Sequence, residues 1–159
     1  MAELINLYKD VVRPEWVDYN QHMSEGYYAV AFCDASEVFL SHMGIGEAYR
    51  ARTAYTVYTI ESHITYLRET KVGKPISCAT QLLDHDTKRM HVFHRMYQDE
   101  TGDICATFEV MMIHVDSRAV RSAPMSDDTV ARFAQLLASH SQIPTPAQVG
   151  NRIHIRRRS

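Results

Sequence analysis

Long apolar runs are missing from this chain. None approaches the roughly 20 residues that a helix needs to cross a bilayer, so a helical membrane span is excluded. Cysteine is scarce as well: Cys33, Cys78 and Cys105 are odd in number and far apart, which excludes a disulfide framework and points to buried reduced thiols. There is no G-x-S-x-G elbow, no phosphate-binding glycine loop and no clustered Cys/His spacing. Neither a metal nor a cofactor is therefore expected. His91 and His94 look like a metal pair, but positions three apart on a strand face opposite sides.

Net charge is small too, at −2 over 159 residues. Its distribution is uneven, because Arg152, Arg156, Arg157 and Arg158 all sit at the C-terminal end; without them 13 basic residues face 19 acidic ones. An acidic body argues against nucleic-acid binding. The segment Met1–Asn6 lacks the basic and apolar regions of a signal peptide, and the expectation is a cytoplasmic protein without a membrane partner.

What is present is a change of period along one domain, residues 1–140, followed by a loose basic tail, 141–159. Residues 4–12 suit a first strand, ended by Arg13-Pro14. A helix is predicted from Ser24 to Met43, with Tyr28, Phe32, Ala35, Phe39 and Met43 on one face and Asp34, Glu37 and Ser41 on another. Ser24 suits the N-cap, Glu25 suits the positive end of the dipole, and Gly44 and Gly46 stop the helix. From Ala54 to Leu67 the alternation is that of a strand, with Tyr58, Ile60, Ile64 and Tyr66 against Val57, Thr59, Glu61, His63 and Thr65. Strands follow at 76–83, 90–97 and 104–115, the last two joined by a hairpin turn at 99–103. Ser126 can cap a final helix that runs to about His140. This order is an α+β layout in which an antiparallel sheet curls around one helix. Such a sheet leaves an open edge, so a homodimer or a dimer of dimers is expected.

The polar loop before the long helix concentrates the chemistry. Asp18 and His22 lie just before unpaired helix amides, which favour a developing oxyanion. A carboxylate there can attack an activated carbonyl or deprotonate a water that does. Spacing alone equally allows a loop that only satisfies its own backbone. Glu61 and His63 share a strand face, and could line the site or form a polar pair at an interface. Lys88 and Arg89, or the C-terminal arginines, are candidates for an anionic end of a substrate, though a solvated face accounts for them as well.

The run Trp16-Val17-Asp18-Tyr19-Asn20-Gln21-His22-Met23 resembles the D-x-x-x-H-[MV] segment of the 4-hydroxybenzoyl-CoA thioesterase-like branch of the hotdog superfamily. The similarity extends through Glu61-Ser62-His63-Ile64-Thr65-Tyr66, Gly73-Lys74-Pro75 and Val115-Asp116, roughly residues 5 to 138. The resemblance implies a hotdog fold and acyl-CoA thioester hydrolysis. It makes Asp18 the nucleophile or general base, places the oxyanion-binding amide near Glu25, and has His22 shape the loop. Many relatives carry glycine before the histidine and asparagine two residues after it; this chain has Gln21 and Ser24. More narrowly, residues 15–25 with Tyr55-Thr56-Val57-Tyr58 and Glu61–Tyr66 resemble the betainyl-CoA thioesterases of carnitine breakdown, some fused to carnitine dehydrogenase. The aromatic supply fits a quaternary ammonium, which ring faces attract by roughly 0.5–2 kcal/mol each. Packing is the competing role for most of these rings, Tyr28, Tyr55 and Tyr66 included. The substrate-facing set is Trp16, Tyr19, Asn20, Tyr27, Tyr58, Glu61 and His63. A dehydratase or hydratase on the same fold carries a different His-centred signature, absent here; a non-catalytic acyl-CoA-binding module is the third reading.

Overall fold

Tyr28, Ala31, Phe32, Ala35, Phe39 and Leu40 recur at the spacing of one helical stripe, and every one of them is buried. The computed structural model, which describes residues 3–157, places that stripe in the hollow of a curled antiparallel sheet. The elements are β1 (Ile5–Val11), α1 (Glu25–His42), α2 (Glu47–Thr53), β2 (Tyr55–Tyr66), β3 (Pro75–His85), β4 (Arg89–Gln98), β5 (Asp103–Asp116), β6 (Arg121–Ser122) and α3 (Asp127–His140). The strands run in the order β1-β3-β4-β5-β2, with β6 appended to β5. This is the hotdog arrangement. Ile76, Cys78 and Leu82 of β3, Met90, Val92 and Met96 of β4, and Phe108, Val110 and Met112 of β5 meet α1 in one core. Fully burying an aromatic or branched side chain such as Phe32 or Phe39 contributes about 1.5–3 kcal/mol.

Two elements were not expected from the sequence: α2, made of seven residues, and β6, made of two. Both are too short to show a period. The long strand β2 also departs from simple alternation. Its register against β5 shifts between Thr59 and Glu61, so Ile60 forms a bulge. By register Val57 and Thr59 take the inner side of the sheet before it, and Ser62, Ile64 and Tyr66 after it, with Val57 and Ile64 packed on the core; Tyr58, Glu61 and His63 lie on the outer face. The single apolar face drawn through Tyr58, Ile60, Ile64 and Tyr66 is thus broken at the bulge. β2 is also an outer strand of the sheet.

The segment expected as a loose tail is tied down as far as Gly150. Ile143 accepts a hydrogen bond from Gln81 on β3, and the Gly150 N–H donates to Glu109 on β5 at 2.8 Å. The thiols split: Cys78 and Cys105 are buried, but Cys33 is exposed on α1, which corrects the expectation of three buried thiols. The helical period that buries Phe32 turns its neighbour outward.

His94, on the inner face of β4, is fully buried and joins α1 to the sheet. Ser36 Oγ donates to the Phe32 carbonyl, so it accepts from His94 Nε2 at 3.0 Å, while Thr80 Oγ1 donates to Nδ1 at 2.9 Å. Removing one partner from such a buried network costs about 1–3 kcal/mol. Burial pushes the imidazole from its ordinary 6.5 down to about 3. The unfolded chain takes up a proton below about 6.5 that the folded chain refuses, so protons favour unfolding. His140, also depressed by burial, acts in the same direction. Stability should be fully present above about pH 6.5 and fall toward pH 3, with His94 contributing about 1.4 kcal/mol per unit. Urea titrations at stepped pH check this: His94→Gln should be less stable at pH 7.5 yet show a shallower decline, and an equal slope would contradict the assignment.

Candidate active site

The loop between β1 and α1 is closed on itself. Residues 14–16 make one tight turn that buries Trp16, and the Ser24 N–H then donates back to the Trp16 carbonyl at 2.8 Å. Val17 and Met23 pair as an antiparallel bridge, as do His22 and Lys71, and the Met23 N–H donates to the Thr70 carbonyl at 2.9 Å. Residues 18–22 are thereby held at the mouth of α1 against the connection between β2 and β3. Within this loop Asp18 N–H donates to the His22 carbonyl, and Gln21 N–H to the Asp18 carbonyl. Asp18 Oδ1 accepts the Asn20 N–H at 2.8 Å, leaving Oδ2 without a partner among the described residues.

The first turn of α1 is open. Ser24 holds the N-cap backbone position, but its side chain makes no capping bond, contrary to the usual role of a serine there. The N–H groups of Glu25 and Gly26 meet no acceptor among the described residues. A Cβ at Gly26 would meet nothing within 4 Å. Uncapped amides beside open space form the positive end of a helix, where an oxyanion is stabilised.

A cavity of about 310 Å³ lies at this helix start, walled by Met23, Glu25, Tyr28, Tyr66, Arg68 and Glu69 among others. Tyr66 meets Tyr28 edge-on, at 5.3 Å between centroids, and donates to the Glu25 carbonyl. Burial, with smaller contributions from neighbours including Cys105 and Glu69, pushes Tyr28 up to about 12, so its hydroxyl stays protonated. Burial and then Glu25 raise Tyr66 as well. His22 Nδ1 meets Glu69 Oε2 at 2.9 Å. Glu69 was not read from the sequence, because the pairing joins residues far apart in the chain and no local spacing signals it.

The remaining sequence-predicted residues divide. Trp16 is 4% exposed, and its ring is already covered by Arg13, 4.7 Å above it, and by Tyr27, stacked at 6.0 Å. Tyr19 and Asn20 sit exposed at the loop tip, and Tyr58 is half-exposed on the outer strand β2. Glu61 and His63 are not brought to Asp18: with His91 and Glu109 they line an outer-face cavity of about 320 Å³, roofed by Gly150–Arg152. There His91 Nε2 meets Glu109 Oε1 at 2.8 Å. His91 and His94 do fall on opposite faces, and no metal-binding group of three His, Cys, Asp or Glu occurs among the described residues.

The model of the thioesterase-like superfamily matches residues 12–133. The chain belongs to that superfamily. It is 35% identical over 150 residues to a betainyl-CoA thioesterase of Pseudomonas aeruginosa, an alignment covering 94% of each chain. It is 37% identical over 142 residues to an L-carnitine dehydrogenase/betainyl-CoA thioesterase of Rhizobium meliloti, covering 89% of this chain but 28% of that one. A Staphylococcus aureus protein solved in complex with CoA superposes with a TM-score of 0.90 at 30% identity, over 98% of both chains. A 1,4-dihydroxy-2-naphthoyl-CoA thioesterase from Synechocystis shares the fold at a TM-score of 0.71 and 12% identity, over 81% of this chain and 95% of that one. Among the described residues, no helix of this thioesterase-superfamily chain is long and apolar enough to cross a membrane.

Where many such relatives carry glycine before the histidine, Gln21 adopts a φ of 62°, in the left-handed region. The strain of a side chain there exceeds the extra chain entropy that glycine brings, so Gln21→Gly should stabilise the fold by roughly 0.5–1 kcal/mol. A raised urea midpoint with unchanged slope confirms this; an unchanged or lower midpoint contradicts it.

Proposed function

We propose that this thioester hydrolase cleaves a small acyl-CoA, betainyl-CoA being the leading candidate, and yields the free acid and CoA. The observation that supports this most is the pairing of Asp18, with one carboxylate oxygen free, and an uncapped helix start beside open space. In this reading the thioester carbonyl oxygen accepts from the N–H of Glu25 or Gly26, which stabilise the oxyanion of the tetrahedral intermediate. Asp18 Oδ2 either attacks the carbonyl carbon or deprotonates the water that does. The thiolate leaves readily, so no strong general acid is required. His22, held by Glu69, fixes the loop that carries Asp18.

The cationic acyl group is supported by the cavity at the helix start, where the Tyr66 ring, backed by Tyr28, supplies an aromatic surface and Glu25 supplies negative charge. Tyr66, 49% exposed and backed edge-on by Tyr28, takes the part expected of Trp16 and Tyr27, because the Trp16 ring is buried under Arg13 and Tyr27. Two copies joined edge to edge through β2 would cover Tyr58 and Ile60, which are 49% and 56% exposed. We place the homodimer there.

Asp18→Asn keeps the loop's acceptor to Asn20 and removes the charge. It should lower thiol release from betainyl-CoA by roughly 10³-fold or more while leaving the melting temperature within a few degrees. Undiminished turnover in that variant would sink the proposed role. Acetyl-CoA should be a poorer substrate than betainyl-CoA by at least roughly tenfold in kcat/KM, and parity would remove the cationic acyl group from the assignment.

A further inference from the structure

The cavity at the helix start does not end there. Leu67, Arg68 and Glu69 also wall a second cavity of about 540 Å³, which runs between the segment after β2 and the β4–β5 hairpin. Its lining includes Arg68, Lys71 and Lys74. In a chain whose body is acidic, three cations on seven consecutive residues stand out. Two of them are held only by exposed acids, Lys74 by Glu100 at 2.6 Å and Arg68 by Asp103 at 3.6 Å. Exposed pairs of this kind are weak and readily exchanged for a stronger anion. Lys71 has no ion pair among the described residues, and Glu69, the other lining acid beside Asp103, is turned to His22.

Thr70 supplies a second, independent observation. The residue is 2% exposed, it lines this cavity, and its hydroxyl has no hydrogen-bond partner among the described residues. A buried hydroxyl left unpaired carries a desolvation cost, so it marks a place where a polar group is to be received. The other basic candidates lack this setting. Arg89 is closed onto Asp86 at 2.6 Å at the β3–β4 turn, and Arg152 lies by the acid-lined outer-face cavity with Glu61 and Glu109.

We propose that this second cavity binds the phosphate-bearing nucleotide end of the carrier thiol, with Lys71 and Lys74 on the phosphates and Arg68 beside them. The Thr70 hydroxyl bonds an amide of the arm that leads to the thioester. The proposal rests on the acyl-CoA reading above and extends it: the acyl group lies by Tyr66, the carbonyl at the first turn of α1, and the arm passes along residues 67–71. Lysine ammonium groups on phosphate are charge-assisted contacts and carry a strong salt dependence.

The test uses 3′-phosphoadenosine 5′-diphosphate alone, measured by calorimetry, together with turnover of acyl-CoA and of the same acyl group on pantetheine, which has no phosphate. Wild-type protein should bind the nucleotide, and the Lys71→Ala/Lys74→Ala variant should bind it at least roughly tenfold more weakly. That variant should raise KM for acyl-CoA by a similar factor at unchanged kcat and leave the pantetheine thioester unaffected. Thr70→Val should raise KM for both substrates with no loss of melting temperature. No nucleotide binding by wild type, or equal effects of the lysine substitutions on both thioesters, would overturn the proposal. Nucleotide bound through Lys71 and Lys74 by a protein that releases no thiol would instead strike at the acyl-CoA hydrolysis reading and leave this site standing.

Discussion

Helix α1 can bury Phe32 and Phe39 only by lying in the hollow of the sheet, and that placement decides where its first turn emerges. A helix start carries four N–H groups with no intrahelical partner, and most proteins cap them with a side chain. Here Ser24 does not, and the chain instead folds the 18–22 loop back so that the Trp16 and Thr70 carbonyls accept from the N–H groups of residues 24 and 23. The core interaction and the chemistry are therefore linked. The same packing that anchors the helix presents its positive end, still unsatisfied, directly after the loop that carries Asp18.

Much of this was legible before any coordinates. The α1 stripe, the order of the long elements along the chain and the position of the Asp18 loop follow from period changes and turn residues, because those signals are local and repeat over many residues. The split of His91 and His94 across β4 follows from strand geometry alone. The two-residue β6 and the seven-residue α2 carry no such repetition, and neither does the Ile60 bulge, which depends on what β5 offers opposite it. A bulge of one residue inverts the faces of everything after it, and for that reason Tyr58 and Tyr66 part company although their spacing matches one face.

The site residues show the same boundary between local and distant information. Asp18, His22 and Glu25 share one stretch of chain, and the 18–22 loop closes on itself just before the first turn of α1. Glu61 and His63 look equally suited on paper, yet the outer face gives them to His91, Glu109 and the end of the chain. Tyr28 stands in the first turn of α1 itself, whereas Glu69 and Tyr66 reach the helix start through the fold, and of these only Glu69 lacks a signal in the sequence. Prolines and charge make the C-terminal segment look loose, yet Gln81 holds its Ile143 carbonyl and Glu109 its Gly150 N–H, contacts that no composition can reveal.

In the proposed mechanism the carbonyl of a thioester meets the first turn of α1 beside Asp18. A crystal structure of the Asp18→Asn variant with bound acyl-CoA tests it directly. The account predicts the carbonyl oxygen roughly 2.7–3.1 Å from the N–H nitrogen of Glu25 or Gly26, with residue 18 facing the carbonyl carbon. A thioester seated in the outer-face cavity, against Glu61 and His63, would contradict it.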